Sequence, residues 1–299
     1  MINYKKWFRS RNLRLRILSY LDFIPDSLML RLQYYIKTGK HLHLSAPVSF
    51  NEKIQHYKLY HRDKGMLRCT DKIEVRNYVK EKGLSHILIP VYSIIEHPYS
   101  VDFSSLPDKF VAKTSDGGGG NQVLICKDKT QFAAKDFDSF IKDCRNLPKG
   151  KRHFAREWAY ENGLPRKIII EKLLEDDQGK DASDFKFMCF GGKFKCLWVD
   201  TERFGNHKRS FWDENLCRIN EARCLYPPIE DGFVLPENIR KMIDIAERLA
   251  EGFPFARIDL YNIEGKIYFG EITFYPNSGY ELFAPQSFDR LLGSFFPSF

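Results

Sequence analysis

The spacing of apolar residues predicts helices near both ends of the chain. Within residues 1–69, the segments LMLRLQYYI and SFNEKIQHYKLY repeat their apolar positions at intervals near 3.6, as an amphipathic helix does. Another helix is predicted between a cap at Thr70 or Asp71 and an end at Gly83. A late helix is predicted to place six apolar residues on one face: Ile239, Met242, Ile243, Ala246, Leu249 and Ala250.

The middle and the C-terminal part of the chain carry strand patterns instead. The segments ILIPVYSII, KFVAK, NQVLIC and RKIIIEKLL read as strands. DFKFMCFGGKFKCLWVD alternates apolar and polar residues around Gly191-Gly192, which indicates a hairpin. FARIDLYNIEGKIYFGEITFYPNSG reads as a strand, a turn at Glu264-Gly265 and a second strand. The predicted fold class is therefore α+β, with antiparallel sheets and flanking helices.

Composition bounds the class of protein. The 299 residues are 43% hydrophobic and 15% aromatic, which is enough for a buried core and argues against disorder. The first twenty residues mix basic and apolar positions, whereas a secretory signal separates them, so we expect a cytoplasmic protein. Seven cysteines without a CxxC pair predict reduced thiols, and eight histidines without an HExxH pattern argue against a structural zinc site.

The net charge of +8 leaves two interpretations open. The first forty residues contribute a large share of it. They can form a solvated basic helix. They can also attract a polyanion such as anionic lipid, an acidic polysaccharide or nucleic acid. Charge alone does not choose among these.

Four consecutive glycines, Gly117 to Gly120, join two predicted strands in KFVAKTSDGGGGNQVLIC. The segment lacks the GK[ST] of a Walker A loop and the helix that follows one, and it does not match the dinucleotide-binding fingerprint. His61-Arg62-Asp63 resembles a kinase catalytic loop, but it lies upstream of the glycines. A flexible turn and a flap over phosphates both fit the glycines. Lys113 on the preceding strand and Arg76 on the preceding helix favour the flap, because both cations suit polyphosphate.

Two acids interrupt apolar strands in the last predicted hairpin. Asp259 and Glu271 face each other if the loop has three residues centred on Gly265, whereas a two-residue turn would place them on opposite faces. We favour the three-residue loop, because it also brings Arg257 and Thr273 to that face. Converging carboxylates suit Mg²⁺. The alternative is an ion-pair network in which Arg257 neutralises the acids.

These segments, in this order, resemble the ATP-grasp superfamily and, within it, the TupA-like ATP-grasp family associated with teichuronopeptide and polysaccharide biosynthesis. The resemblance rests on DKIEVRNYV, LPDKFVAKTSDGGGGN, IIIEKLLED, DFKFMCFGGK, DTERFGNHKR, FPFARIDLY and KIYFGEITFYPNSGY. It implies an ATP-grasp fold, in which two α+β subdomains grip ATP. The expected parts are a helical N-terminal region (1–69), a small subdomain with the flap (70–172) and a large subdomain with the acidic hairpin (173–299).

The resemblance also implies roles for individual residues. The residues expected to bind the nucleotide are Arg76, Lys113, Gly117, Gly118, Gly119, Gly120, Glu171, Lys172, Leu173 and Glu175. The expected magnesium ligands are Asp259, Glu271 and Thr273, where Thr273 replaces the asparagine common in the superfamily. The resemblance gives Arg257 the task of steadying an oxyanion. It fixes no role for four further basic residues: surface charge and contact with phosphates or an acidic acceptor both fit them, and the cluster RFGNHKR favours contact. We expect Lys186 and Arg203 to be catalytic together with Arg257. The residues expected to contact the substrate are His207, Arg209, Asn277 and Ser278, the last two in the loop FYPNSG.

The function implied is ATP-dependent ligation of a carboxylate to an amine, with Mg²⁺, through an acylphosphate. The expected substrates are a uronic acid carboxylate of a sugar or polysaccharide and an amino acid or related amine, in bacterial capsule or cell-surface polysaccharide synthesis. We expect no nucleic acid partner, and we expect contact of the basic N terminus with the inner face of the membrane as one option. Two other classes stay open: a glycosyltransferase, although no DxD motif is evident, and a non-catalytic polyanion-binding protein.

Overall fold

A computed structural model of the chain describes residues 10–96, 102–117, 122–146, 153–161, 163–176, 179, 181–203 and 205–297. Five helices come first: α1 (Arg11–Tyr20), α2 (Asp26–Thr38), α3 (Phe50–Tyr60), α4 (Lys64–Cys69) and α5 (Glu74–Glu81). The later helices are α6 (Ala134–Asn146), α7 (Ile239–Ala250) and α8 (Gln286–Ser294). The prediction of a helical N-terminal region is thus confirmed over its described residues.

Local sequence explains where two of these helices begin and end. Ser49 and Glu52 form a reciprocal capping box at the start of α3. Helix α5 begins after Ile73, which makes no side-chain capping bond, so neither predicted residue occupies the cap position itself. Asp71, one of the two predicted residues, lies in the preceding turn, and its Oδ1 accepts from the backbone N–H groups of Ile73 and Glu74 at 2.9 and 3.0 Å. Gly83, with a φ of 70°, follows the helix in the left-handed conformation that favours glycine.

Two antiparallel sheets form the rest of the framework. The first has the strand order β1-β4-β2-β3 and consists of β1 (Val91–Ile95), β2 (Phe110–Thr114), β3 (Val123–Cys126) and β4 (Ile168–Glu171). The second has the order β7-β6-β5-β8-β9 and consists of β5 (Asp184–Phe190), β6 (Lys193–Thr201), β7 (Lys208–Asp213), β8 (Phe255–Ile263) and β9 (Lys266–Thr273). The α+β prediction is confirmed. The sheets lie on either side of the boundary expected at 172, while the division into three parts stays a prediction.

One predicted strand is shorter than its apolar run. Within ILIPVYSII only Val91–Ile95 pairs with a neighbour, and Ser85–Ile87 forms a 3₁₀ turn. Pro90 has no N–H to give to a ladder, and its carbonyl accepts from Lys172 N at 3.0 Å. The start of β1 therefore lies just after the proline.

The main core lies between the second sheet and helices α3, α7 and α8. All six apolar residues predicted on one face of α7 are buried, as is Ile245. Phe50 of α3 packs edge-on against Phe255 with ring centroids 5.3 Å apart, and Phe255 stacks on Phe296 at 5.2 Å. A smaller core joins α6 to the first sheet through Phe110 and Phe137. Aromatic packing thus fixes α3 against the sheet that carries the acidic hairpin.

All seven cysteines are free thiols, and five of them are buried. Among the described residues, no helix has both the length and the apolar character needed to cross a bilayer.

Candidate functional site

The acidic hairpin turns in two residues, so the prediction of a three-residue loop is wrong. Ile263 pairs with Lys266, and Glu264 and Gly265 have φ values of 51° and 80°, as a tight hairpin turn requires. Asp259 nevertheless pairs with Glu271, as predicted. A β-bulge explains how the two-residue turn and this pairing occur together. Leu260 pairs with Phe269, so Gly270 is an extra residue on β9. The bulge moves the acids onto one face.

Gly270 is needed at the bulge for reasons of space. A Cβ added there would lie 2.9 Å from the carbonyl oxygen of Asp259, closer than such contacts occur. The strand pair therefore depends on glycine at the point where its register changes.

We expect Gly270→Ala to destabilise the fold by about 1–3 kcal/mol, the usual cost of forcing a methyl group into a packed site. Gly205→Ala is the matched control, because a Cβ at Gly205 meets no heavy atom within 4 Å. Urea unfolding measures both variants. Equal stabilities for the two would show that the close approach at Gly270 does not constrain the hairpin.

Arg257 joins the polar side chains of the hairpin. Its Nε lies 2.7 Å from Asp259 Oδ1, and one Nη2 atom lies 2.7 Å from Asp259 Oδ2 and 3.0 Å from Glu271 Oε1. The same Nη2 is 3.2 Å from Thr273 Oγ1, which donates to Glu271 Oε1 at 3.0 Å. The four predicted residues therefore form one cluster, and in this structure they form the ion-pair network that was the alternative interpretation.

The other two predicted catalytic residues lie against the same cluster. Lys186 is opposite Asp259 in the sheet, and its Nζ is 2.9 Å from Asp259 Oδ2. Lys186 also contacts Asp184, which accepts from Arg203 as well. Asp184 is fully buried, and sequence reasoning missed it. Its position at the start of a strand opposite the hairpin becomes evident only from the pairing of β5 with β8.

The two facing carboxyl groups, Asp259 and Glu271, differ in the direction in which their surroundings shift the pKa. Burial raises the pKa of Asp259, and this effect outweighs the opposing charges of Arg257 and Lys186. Burial also favours the neutral form of Glu271, but Arg257, Lys72 and Lys186 outweigh it and lower the pKa to about 2. The Asp259 side chain is 3% exposed and that of Glu271 is 41% exposed. Glu271 is thus the more acidic and the more exposed of the two carboxyl groups.

The oxygen atoms of Asp259, Glu271 and Thr273 fit a Mg²⁺ ion whose remaining ligands come from substrate phosphates. Mg²⁺ prefers oxygen ligands and is usually held by one or two carboxylates together with substrate phosphates. Asp259 and Glu271 offer two carboxylates on one face, and Thr273 adds a hydroxyl beside them. No cluster of three His, Cys, Asp or Glu side chains able to hold a metal occurs in the described part of the chain.

A second group of charges lies on the first sheet. Glu171, a buried residue of β4, is 2.6 Å from Lys113 Nζ and 3.3 Å from Arg76 Nη1. Arg76 also donates to the carbonyl of Ile89 at 2.9 Å. The two cations predicted to bind phosphates are therefore held together by Glu171, which was also predicted to bind the nucleotide. Their positions in the sequence did not reveal this contact.

Lys72 is the cation that sequence reasoning missed. Its Nζ donates to the carbonyl of Gly117, and its backbone N–H donates to Ser115 O at 2.9 Å. Burial lowers the pKa of Lys72, while the nearby charge of Glu271 opposes this shift. Lys72 is therefore bound to the start of the glycine segment, and the charge of Glu271 raises its pKa. An Asp-Lys pair immediately before an amphipathic helix was the available signal.

The remaining predicted nucleotide residues lie near these charges along the chain. Gly117 is described, whereas Gly118 to Gly120 lie outside the described residues. After Lys172, whose N–H bonds to Pro90, Leu173 is half-buried. Glu175 forms an ion pair with Lys109 at 2.7 Å.

The predicted substrate residues fall into two groups. Arg209 is buried, donates to Asp200 Oδ2 at 2.8 Å and to Glu281 Oε2 at 3.2 Å, and so is no surface charge. His207 lies 3.2 Å from Asp200 and packs on Tyr226. Because both side chains are engaged by acids of the protein, their contact with a substrate remains a prediction.

The other group, Asn277 and Ser278, lies in the loop after the acidic hairpin, and side chains of α3 donate hydrogen bonds to this loop. Asn277 and Ser278 have φ values of 45° and 56°, unfavourable for residues with a side chain. The carbonyl of Ser278 accepts from Gln55 Nε2 and from Lys58 Nζ, both at 2.8 Å. A buried lysine and a buried amide thus stabilise the strained loop that follows the acids. This connection between α3 and the loop was not predicted.

We expect the buried ammonium of Lys58 to make stability depend on pH. Burial lowers its pKa to about 8, against the opposing charge of Glu157. The unfolded state therefore binds more protons above pH 8, and the free energy of unfolding must rise with pH. From pH 7 to 9 the difference in unfolding free energy between the wild type and Lys58→Met should increase by about 1.4 kcal/mol. Denaturant titrations of both proteins at the two pH values test this, and parallel pH profiles would contradict it.

Comparison with known proteins identifies the class and then the family. The sequence model described as TupA-like ATPgrasp matches residues 52–297, which places the chain in the ATP-grasp class. The chain belongs to the TupA-like ATP-grasp family. A search of curated protein sequences gave no significant match.

Solved structures that resemble the chain do so at low identity. They include D-alanine–D-alanine ligase from Bacillus anthracis complexed with ATP (15% identity, TM-score 0.39, 69% of this chain and 54% of that one). The corresponding ligase from Helicobacter pylori has 13% identity and a TM-score of 0.44, and the match covers 84% of this chain and 70% of that one. N5-carboxyaminoimidazole synthetase from Staphylococcus aureus complexed with ADP has 14% identity and a TM-score of 0.39, and the match covers 69% of this chain and 44% of that one. The chain thus spans about half the length of the Bacillus anthracis ligase.

Proposed function

We propose that the protein is an ATP-dependent ligase that joins a carboxylate to an amine. The observation that carries the proposal is the position of Lys72, which contacts the start of the glycine segment and lies in the electrostatic range of Glu271. Nucleotide phosphates between these two features would meet cations on one side and carboxylates on the other. Membership of the ATP-grasp class supports ATP as the nucleotide.

The proposed reaction has two steps. An oxygen of the substrate carboxylate attacks the γ-phosphorus of ATP, the bond from that phosphorus to the β,γ-bridging oxygen breaks, and ADP leaves. The amine nitrogen then attacks the acyl carbon of the acylphosphate, loses a proton and expels phosphate, which leaves an amide. Most of the catalytic effect expected for such chemistry comes from positioning and from neutralising charge.

The side chains of this protein have distinct proposed roles. Lys72, Lys113 and Arg76 would bind phosphate oxygens. Asp259 and Glu271, with Thr273, would hold Mg²⁺, which supplies charge neutralisation at the phosphates when bound. Arg257 would then be released from bridging both carboxylates and could face the oxyanion of the second step, with Lys186 and Arg203 beside it.

The substrate class is proposed from the family resemblance. A uronic acid of a cell-surface polysaccharide would supply the carboxylate, and an amino acid or a related amine would supply the nitrogen. The basic charge of the whole chain adds little to this point, because residues 41–299 have a net charge of only +1. His207, Arg209, Asn277 and Ser278 remain the proposed substrate contacts. Asn277 and Ser278 lie on the loop that follows the acidic hairpin, whereas His207 and Arg209 lie at and before β7, at the other edge of the same sheet.

Release of ADP from a panel of substrates tests the reaction. We expect ADP and phosphate only when a glucuronate- or galacturonate-type carboxylate and an amine are both supplied. ADP formation that needs no amine would contradict the ligase reaction. Thermal unfolding separates the other classes: stabilisation by UDP-sugars but not by Mg-ATP would indicate a glycosyltransferase, and salt-sensitive binding of polyanions without any nucleotide effect would indicate a binding protein.

A further inference from the structure

The positive charge of the chain is concentrated at its N-terminal end. Residues 1–40 contain nine Lys or Arg and two Asp, so they carry seven of the eight net positive charges. The remaining residues are close to neutral. A charge confined to one segment produces a local potential, and such a potential attracts an anionic partner to that segment rather than to the nucleotide site.

The two acids of this segment are directed toward the body of the protein. The guanidinium of Arg156, whose side chain is 2% exposed, lies 3.1 Å from Asp22 and 3.4 Å from Asp26. It also donates to the carbonyl of Leu21 at 3.0 Å. Arg156 therefore fixes the connection between α1 and α2 and offsets part of the charge of its two carboxylates. Of the basic residues in the segment, Arg16, Arg31 and Lys40 are exposed.

Both helices expose the same three residue types at the same spacing. Leu13, Arg16 and Tyr20 of α1 lie at positions i, i+3 and i+7, and Leu28, Arg31 and Tyr35 of α2 repeat this spacing. Residues at these intervals lie on one face of a helix. All six side chains are exposed. Each helix thus presents a face that combines an aliphatic, a cationic and an aromatic residue.

The exposed faces of α1 and α2 contain large apolar side chains, which are unfavourable in contact with water. From Leu13 to Tyr20, the part of α1 whose side chains are described, no residue is buried. Tyr20 is 79% exposed, and Phe23, in the connection between the helices, is 81% exposed. On α2, by contrast, the face opposite the exposed one is buried through Met29 and Leu30. Of the fifteen large apolar side chains exposed in the described residues, six lie between Leu13 and Tyr35.

We propose that α1 and α2 bind the surface of an anionic lipid bilayer. Helices that lie in a membrane interface combine aliphatic and aromatic residues with Lys or Arg, because one set enters the acyl boundary while the other meets anionic headgroups. A nucleic acid or an acidic glycan would meet the cations but offers nothing to Leu28 and Leu32. With 10 and 13 residues, the two helices are too short to span a bilayer and would lie in its plane.

Vesicle co-sedimentation of the full chain tests the proposal. We expect the chain to sediment with phosphatidylcholine vesicles that contain about 30% phosphatidylglycerol. Binding to vesicles of phosphatidylcholine alone should be at least about tenfold weaker, because anionic headgroups attract each nearby cation. Binding should also weaken in 0.5 M salt, where charges are screened within about 4 Å. Equal partitioning into neutral and anionic vesicles would overturn the proposal.

Two variants assign the binding to these helices. Tyr20→Ser/Phe23→Ser removes exposed aromatic area, and Arg16→Glu reverses a charge on the face of α1. Each should lower the partition coefficient about tenfold at constant thermal stability. The matched control is Val234→Ser/Leu291→Ser, since Val234 is 82% and Leu291 46% exposed on other parts of the fold. Unchanged vesicle binding by both test variants would overturn the assignment, as would retention of the wild type on a heparin matrix without vesicle binding.

Discussion

Replacing Glu271 by glutamine is expected to lower the rate of ADP release by a factor on the order of 10²–10³, because one of the two proposed metal-binding carboxylates loses its charge. The fold should tolerate this change, since the Glu271 side chain is 41% exposed and Arg257 keeps its contacts with Asp259. A steady-state assay and a thermal unfolding curve measure the two effects separately. Glu264→Gln, at the exposed turn of the same hairpin, is the matched control.

The companion variant Asp259→Asn should lose activity and stability together. Asp259 is buried and accepts from both Arg257 and Lys186, so the substitution leaves two buried cations facing one charge fewer. Breaking such a pair typically costs about 3–5 kcal/mol. The pair of variants separates the interpretations of the cluster. If Glu271→Gln turned over at nearly the wild-type rate, the acids would form only the structural ion-pair network.

The second large effect is expected at the cations of the proposed phosphate site. Lys72→Met and Lys113→Met should each weaken ATP binding about 10- to 100-fold, because each removes a charge-assisted contact worth about 1.5–3 kcal/mol. Isothermal titration with Mg-ATP measures the loss.

Lys109→Met provides the control for these variants. Lys109 precedes the same strand, and its side chain is 56% exposed and pairs with Glu175. It should retain ATP affinity within about threefold, as expected for an exposed ion pair worth less than 1 kcal/mol. A loss of affinity at Lys109 as large as at Lys72 would indicate a general electrostatic effect in place of a defined site.

The variants Lys113→Met and Lys72→Met test different parts of the proposed phosphate site. Lys113 lies four residues before the first glycine, and its position in the sequence predicts a role at the phosphates. The role of Lys72 follows only from the tertiary structure, in which its ammonium contacts Gly117 and the charge of Glu271 raises its pKa against the effect of burial. If Lys113→Met weakens ATP binding and Lys72→Met does not, the glycine segment and the acidic hairpin would act on different ligands, and the proposed arrangement of phosphates would be wrong.

The α+β class and most elements could be predicted from local pattern. The six apolar residues on one face of α7, the hairpin at Gly191-Gly192 and the strands around the glycines follow from periodicity and turn chemistry, which are short-range properties. The facing of Asp259 and Glu271 was also correct, although for the wrong reason. The compensating bulge depends on contact between Gly270 and the opposite strand, which no local pattern encodes.

The sequence by itself determined the helical N-terminal region and the strands, because each rests on residues close together in the chain. It also determined the family, through short motifs that follow one another in a fixed order. Only the tertiary structure decided which charges meet. Arg257 bridges both acids, Glu171 gathers Lys113 and Arg76, and Lys58 reaches the loop at Ser278 across more than two hundred residues. Ionic and hydrogen-bond contacts of this kind depend on distances set by sheet pairing and core packing, and a single sequence contains no direct record of them.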